Sequence, residues 1–198
     1  MARMHTDRRQ FGISVIAIAS LLLTGCFTGE DDGIANEILF NTAHPLKTGP
    51  GRICALSRND CMDIRIVRDD SKTSGYMLSL PQEGVESPLF MRALKGAGIP
   101  PDTYVMMSFG DEDGLASDAY GLALASRQSD GGWLIMHPEC AYAKQTAIEE
   151  DFPWVRLEIA FGTPVCRIAS DGLTDARLYT TLSALTNQDE KFRLYEGG

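Results

Sequence analysis

Hydrophobic positions recur with a period of two along much of the chain, and this pattern predicts a protein built mainly of strands. In the stretch "MDIRIVRD", Ile64 and Ile66 are separated by Arg65, an alternation that is typical of a strand with one buried face. The segment 87–98 fits either a strand or a short capped helix, and its alternating apolar residues favour the strand. Further strands are predicted in segments 74–80, 102–110, 153–162, 164–170 and 191–198.

The stretch "YGLALASRQSDGGWLIMH" gives the clearest local signal in the chain. Two apolar runs flank the residues from Ser129 to Gly132, and Asp-Gly is favoured where a tight turn needs a positive φ. We therefore expect an antiparallel hairpin that pairs Tyr120 to Arg127 with Trp133 to His137.

A helical period occurs near the C-terminus. Leu178, Leu182 and Leu185 lie on one face of a predicted helix, with Thr174 as its N-cap. The predicted fold class is therefore α+β, a predominantly antiparallel β meander of about six to eight strands with one or two helices. Weaker helical segments cover residues 34–40 and 138–151.

Two segments between the N-terminus and the first predicted strand lack a clear period. The stretch "FTGEDDGIANE" is polar and acidic, and it is expected to form a short tether. The stretch "TAHPLKTGPG", residues 42–51, holds two prolines and two glycines, and it is predicted to be an irregular loop throughout.

The first 25 residues have the pattern of an export signal. Arg3, Arg8 and Arg9 precede an uncharged apolar run from Phe11 to Leu23. This run is shorter than the roughly 20 residues that a transmembrane helix needs, so it favours the core of a signal peptide. A buried helix of the folded domain is the alternative interpretation.

The residues that follow the apolar run, Leu23, Thr24, Gly25 and Cys26, resemble the lipobox of bacterial lipoproteins. The resemblance covers residues 1–26 only and implies cleavage before Cys26, with acyl chains such as palmitate attached to that residue. Several acyl chains hold a protein on a bilayer far more firmly than a single chain does. The resemblance therefore makes Cys26 a membrane anchor rather than a catalyst. Phe27 at the next position favours the outer membrane, with the domain facing the periplasm.

This interpretation divides the chain into a signal peptide at 1–25, a lipidated anchor and tether at 26–38, and a single β-rich domain at 39–198. Loss of three arginines and one aspartate takes the formal charge from −9 to −11. Such an acidic domain is a poor candidate for binding nucleic acid, because the phosphates would repel it. The charge would suit a cationic partner, and a role in solubility alone is the alternative interpretation.

Four cysteines remain beside Cys26, and an even number in an oxidising compartment predicts two disulfides. Three pairings are open, and we favour Cys54 with Cys61 and Cys140 with Cys166, because the first two bracket the turn-rich "ALSRND". A zinc site is the competing interpretation, but the spacing lacks the C-x2-C pairs of structural zinc sites.

Candidate chemistry is sparse. His44 and His137 each precede a proline, without a recognisable nucleophile motif beside them, and His137 is the better catalytic candidate because it ends a predicted strand near Cys140. The acidic stretch "GDEDGLASD" offers carboxylates that could bind calcium, although a solvated turn is the simpler interpretation. The candidate metal ligands there are Asp111, Asp113 and Asp118.

These observations predict a membrane-anchored envelope lipoprotein with a non-enzymatic binding or adaptor role and no cofactor. Its partners would be the bilayer, reached through acylated Cys26, and a protein or small envelope ligand, with a cationic one favoured by charge. One alternative is an envelope hydrolase or metal-dependent enzyme that uses His137 and the acidic loop. Another is a structural subunit of an envelope assembly.

Overall fold

The computed structural model describes residues 27–29, 32–58, 60–69, 75–82, 84–109, 120–138, 140, 148, 150–160, 163–186 and 191–197. These residues form mostly antiparallel strands with two helices, as the predicted α+β class requires. The strands are β1 (Phe27–Gly29), β2 (Gly49–Ala55), β3 (Cys61–Arg68), β4 (Tyr76–Leu80), β5 (Val85–Ala93), β6 (Thr103–Phe109), β7 (Tyr120–Arg127), β8 (Trp133–Met136), β9 (Val155–Ala160), β10 (Thr163–Ile168) and β11 (Lys191–Glu196). The helices are α1 (Asp32–Phe40) and α2 (Asp175–Ala184).

Eight of the strands close into a barrel, which is a more specific arrangement than a meander. Strands β2 to β8 follow one another as antiparallel neighbours, and β11 returns to fill the space between β8 and β2. Phe192 on β11 pairs with Ala55 on β2 and with Ile135 on β8. Closure therefore depends on pairings between residues that lie far apart in the sequence.

The barrel has one hydrophobic core inside and another outside. The inner core contains Ile53, Met91, Trp133 and Phe192, which point into the barrel from different strands. The outer core lies between one side of the barrel and the covering elements, and it contains α1, α2 and β9–β10 residues. An eight-stranded barrel has an interior that side chains can fill or that can hold one small ligand.

The two cores explain the different hydrophobic patterns of the strands. β3 alternates between exposed and buried residues because its outer face meets solvent. β7 is buried on both faces because Ala123 and Ala125 face the inner core while Leu122 and Leu124 face the outer one. The continuous apolar run in the predicted hairpin therefore reflects its position under the covering elements.

The predicted hairpin and C-terminal helix are confirmed. β7 and β8 pair antiparallel with Ser126 opposite Leu134, and Gly131 has a φ of 84° in the turn. In α2, the Thr174 hydroxyl accepts a hydrogen bond from the Arg177 backbone N–H at 3.3 Å. The leucine face of α2 is buried in the outer core.

A second, small sheet packs outside the barrel in the order β1-β10-β9. A disulfide joins Cys140 to Cys166 on β10, and another joins Cys54 to Cys61 at the β2–β3 turn. Both predicted cystine pairs are therefore present. The Cys140–Cys166 bond secures the segment after β8 to the small sheet.

One local prediction is wrong. Residues 42–51 were expected to be irregular throughout, but Gly49, Pro50 and Gly51 are part of β2. Gly51 is required there because a Cβ atom would lie 2.9 Å from the backbone oxygen of Tyr195 on β11. Proline is tolerated because it stands at the start of the strand.

The segment predicted as a tether also contributes to the fold. Phe27 pairs in parallel with Cys166 through β1 and β10. Ile34 and Ile38 on α1 are buried in the outer core. For the helix predicted in 138–151, residues 139, 141–147 and 149 lie outside the described part of the chain, while 148, 150 and 151 are helical.

Candidate functional site

The two ends of the barrel differ in structure. At one end, here called the plugged end, β7 and β11 finish at Arg127 and Glu196. At the other, here called the His137 end, β6 finishes at Phe109 and β7 begins at Tyr120. The residue His137 follows directly after β8 at this second end.

The segment from residue 42 to residue 48 crosses the plugged end. The Ala43 N–H donates to the carbonyl of Met91 at 2.6 Å, which fixes one side of the segment to β5. The Leu46 side chain is buried in the inner core. The Leu46 N–H donates to the Tyr76 hydroxyl at 2.9 Å, and that hydroxyl donates to the Leu46 carbonyl at 3.1 Å. Burial raises the pKa of Tyr76 to about 12, so the hydroxyl keeps its proton at neutral pH.

Glu196 fixes the other side of this segment. Its side chain is only 4% exposed and accepts hydrogen bonds from the Lys47 backbone N–H at 2.8 Å and from Trp133 Nε1 at 3.0 Å. Arg127 Nη1 donates to the same carboxylate at 2.8 Å, and the guanidinium lies 4.9 Å from the Trp133 ring centroid. A buried carboxylate with three donors is well compensated for its loss of water. These contacts close this end of the barrel.

A cavity of ≈ 40 Å³ lies inside the barrel toward the His137 end. A single water needs about 10–15 Å³, so the space suits a few waters or a small molecule. Its walls are mostly apolar, with polar side chains at one end. The lining residues are Ile53, Ile64, Leu78, Ser87, Leu89, Met106, Ser108, Gly121, Leu122, Ala123, Ile135, His137 and Leu194.

Strand register brings the polar lining residues to one end of the cavity. Ser108 on β6 stands opposite both Leu89 on β5 and Gly121 on β7. Ser87 precedes Leu89 by two residues, so it points to the same side of β5. Together with His137 at the end of β8, these serines form a group that we call the polar cluster (Ser87, Ser108 and His137).

His137 is the titratable member of the polar cluster. The residue is 5% exposed, and burial lowers the pKa of its ring to about 4. The imidazole is therefore neutral at pH 7, with one N–H donor and one acceptor nitrogen. Among the described residues, none forms a hydrogen bond or an ion pair with this ring. The ring can therefore exchange a hydrogen bond with a small molecule in the cavity.

The predicted histidines lie at opposite ends of the barrel. His44 lies at the plugged end, where its ring is 5.6 Å from that of Tyr76 in an edge-on arrangement. His137 lies beside the cavity. The two residues therefore cannot share one site.

The acidic candidates Asp111, Asp113 and Asp118 lie outside the described residues, as does Cys26. The segment that holds the three aspartates joins Phe109 to Tyr120, so it begins and ends at the His137 end. Within the described ranges, no three His, Cys, Asp or Glu residues are grouped in a way that would hold a metal ion.

The sequence did not single out Ser87 and Ser108. Each is a polar residue in an inward-facing row, next to Leu89 and Met91 on β5 and next to Met106 on β6. A polar residue at the end of an apolar period-two row is the signal that could have identified them. That signal becomes specific only once the inward face of each strand is known.

Within the part of the chain that the structure describes, no helix has the length and apolar character needed to cross a bilayer. Comparisons with protein-family models, with curated proteins and with solved structures find no match to this chain.

Proposed function

We propose that this protein is a lipoprotein of the bacterial envelope whose barrel domain binds a small, mainly apolar ligand without transforming it. The lipobox at Leu23 to Cys26 supports the location and the acyl anchor, and Phe27 supports the outer membrane. The two disulfides suit an oxidising compartment. The anchor would hold the barrel at the membrane surface, where apolar molecules are concentrated.

The observation that carries the binding proposal is the cavity at the His137 end. Ligand sites are concave and mostly apolar, with a few polar groups that fix orientation. The cavity has this composition on a small scale, with the polar cluster at one end of apolar walls. The contacts of Glu196 and Leu46 close the opposite end, so a ligand would enter from the His137 end.

A binding role fits this cavity better than a catalytic role. A histidine that acts as a general base is normally oriented by a carboxylate or another acceptor. Among the described residues, those that line the cavity include two serines but no carboxylate. Burial also holds the pKa of His137 near 4, which makes the ring a weak base at pH 7.

The enzymatic alternative keeps one supporting observation. The segment that carries Asp111, Asp113 and Asp118 begins and ends at the same end of the barrel as His137. A hydrolase or metal-dependent enzyme would need a carboxylate from this segment beside His137. Titrations with calcium and with zinc test this alternative on the wild type and on Asp113→Asn. A metal centre that uses Asp113 would bind the ion in the wild type and bind it more weakly in the variant.

The binding proposal is tested by filling the cavity. Ala123 lines it, so Ala123→Leu should occupy the space, whereas Ala176→Leu lies on the exposed face of α2 and serves as the control. Saturation-transfer NMR with a panel of neutral fragments, on the full protein in nanodiscs, should show binding to the wild type and to the control. Equal binding by Ala123→Leu would contradict the proposal.

The anchor is tested separately by metabolic labelling with an alkyne analogue of palmitate. Cys26→Ser should lose both the label and the membrane fraction. A double substitution, Cys54→Ala with Cys61→Ala, removes a disulfide but should keep the label. Retention of the label by Cys26→Ser would overturn the lipoprotein assignment.

A further inference from the structure

We infer that the cavity selects a neutral molecule with a hydroxyl group, oriented so that the hydroxyl meets His137 and the hydrocarbon part lies among the apolar walls. This inference rests on the proposed function, because it names the chemical class of the ligand for the same site. It assigns His137 to ligand recognition.

The state of the His137 ring favours a ligand that forms a hydrogen bond. The residue is 95% shielded from solvent, it lines the cavity, and no described residue hydrogen-bonds to it. Ring nitrogens that face a cavity take their hydrogen-bond partner from bound water or a ligand when the protein supplies none. The cavity beside the ring is the space from which such a partner would come.

The charge of the site favours a neutral ligand. Among the described residues that line the cavity, no side chain carries a formal charge at neutral pH, since burial keeps His137 neutral. A carboxylate or an ammonium ion in this space would lose its water without gaining an opposite charge. The site therefore disfavours both anions and cations.

The type of hydrogen bond that the His137 ring can form favours a hydroxyl group. A neutral imidazole presents an acceptor on one nitrogen and a donor on the other. A hydroxyl both donates and accepts, so it pairs with either nitrogen. The opposite part of the ligand would contact Leu89 and Met106.

The size of the cavity restricts the part of a ligand that it encloses. A volume of ≈ 40 Å³ accommodates only a few non-hydrogen atoms. The enclosed part of the ligand is therefore a short hydrocarbon chain whose hydroxyl lies at the His137 end.

Three probes of similar length test the inference: 1-butanol, 1-chlorobutane and butyrate. Binding to the full protein in nanodiscs is followed by NMR of methionines labelled with ¹³C in their methyl groups, with empty nanodiscs as the blank. Met106 lines the cavity and reports entry. Wild type should bind 1-butanol at least tenfold more tightly than butyrate.

His137→Phe keeps a ring of similar size and removes the hydrogen bond. This substitution should weaken the binding of 1-butanol at least tenfold and change the binding of 1-chlorobutane less than threefold. His137→Gln keeps a donor and an acceptor, and it should restore binding of the alcohol to within threefold of the wild type. A loss that is equal for the alcohol and the chloride would overturn the inference.

A measurement on the wild type alone keeps the inference testable if His137→Phe does not fold. Addition of 1-butanol should shift a ring ¹⁵N resonance of His137, and 1-chlorobutane should leave it unchanged. If 1-chlorobutane binds but 1-butanol leaves this resonance unmoved, the hydroxyl assignment is wrong while the binding function stands. If none of the three probes moves the Met106 signal, the proposed function itself fails.

Discussion

The Asp175 carboxylate accepts a hydrogen bond from Arg92 Nη1 at 2.8 Å, and this contact joins the first turn of α2 to the barrel strand β5. The second oxygen of Asp175 accepts from the Lys95 backbone N–H at 2.8 Å. The Arg92 side chain is 10% exposed, so this carboxylate compensates much of the water that the guanidinium loses on burial. The contact therefore fixes a covering helix to the barrel.

We predict that Asp175→Asn lowers the free energy of unfolding by about 3 kcal/mol, because it leaves a buried guanidinium without its main counter-charge. Glu37 is 3.5 Å from the same guanidinium but is half exposed. Glu37→Gln should therefore cost less than about 1 kcal/mol. Urea unfolding of the two variants measures both values, and equal losses would show that Asp175 has no special role.

The Tyr76 hydroxyl supports the backbone of Leu46 across the plugged end. Tyr76→Phe leaves a buried N–H and a buried carbonyl without this partner, so we predict a loss of about 1–3 kcal/mol in unfolding free energy. Tyr195→Phe is the matched control because the Tyr195 side chain is half exposed. The plugged-end account is contradicted if both substitutions change stability by the same amount.

The pKa of His137 leads to a pH dependence of stability. Its folded pKa of about 4 lies below the ordinary value of 6.5, so the unfolded chain binds more protons between these two values. The contribution of the neutral His137 ring to the free energy of unfolding should be complete above pH 6.5. It should decrease as the pH falls to 4, by an amount on the order of 3 kcal/mol.

His137→Phe isolates this effect from the titration of the carboxylates. The difference in unfolding free energy between wild type and His137→Phe should decrease as the pH is lowered from 6.5 to 4. Urea unfolding at several pH values measures it. A difference that stays constant across this window would mean that His137 is not buried as a neutral ring.

The two disulfides should contribute differently. Their sequence separations are 7 residues for Cys54–Cys61 and 26 residues for Cys140–Cys166. The chain-entropy model assigns about 2 kcal/mol to the shorter loop and about 3.5 kcal/mol to the longer one. Replacement of each pair by alanines, followed by urea unfolding without reductant, should therefore be more costly for Cys140–Cys166. The reverse order would contradict this prediction.

Local pattern was sufficient to predict elements whose hydrophobic period matches a single environment. Ile64 and Ile66 alternate with exposed residues, and the leucines of α2 share one buried face. The prediction of an irregular loop over residues 42–51 failed because Gly49 and Pro50 have the composition of a turn, whereas the close approach of β11 at Gly51 requires a residue without a side chain. A contact with a distant strand decided that conformation.

Barrel closure and the cavity were not predictable from local pattern. Phe192 pairs with Ala55, which lies near the other end of the domain's sequence, and no local period specifies that pairing. The sequence did direct attention to His137, and the acidic loop that it offered as a partner in the enzymatic alternative lies outside the described residues. The other members of the polar cluster, Ser87 and Ser108, are ordinary strand residues until the register places them on the inner face.

The proposed function requires that the cavity at the His137 end admits a small ligand. Xenon tests it directly, because this apolar atom enters small cavities without needing a hydrogen bond. Met106 lines the cavity, whereas its neighbour Met107 lies in the outer core, so one ¹³C-methyl spectrum of the full protein contains both the reporter and its control. Under xenon pressure, we predict a saturable shift of the Met106 signal and little change at Met107. Absence of a shift at Met106, or equal shifts at both methionines, would contradict it.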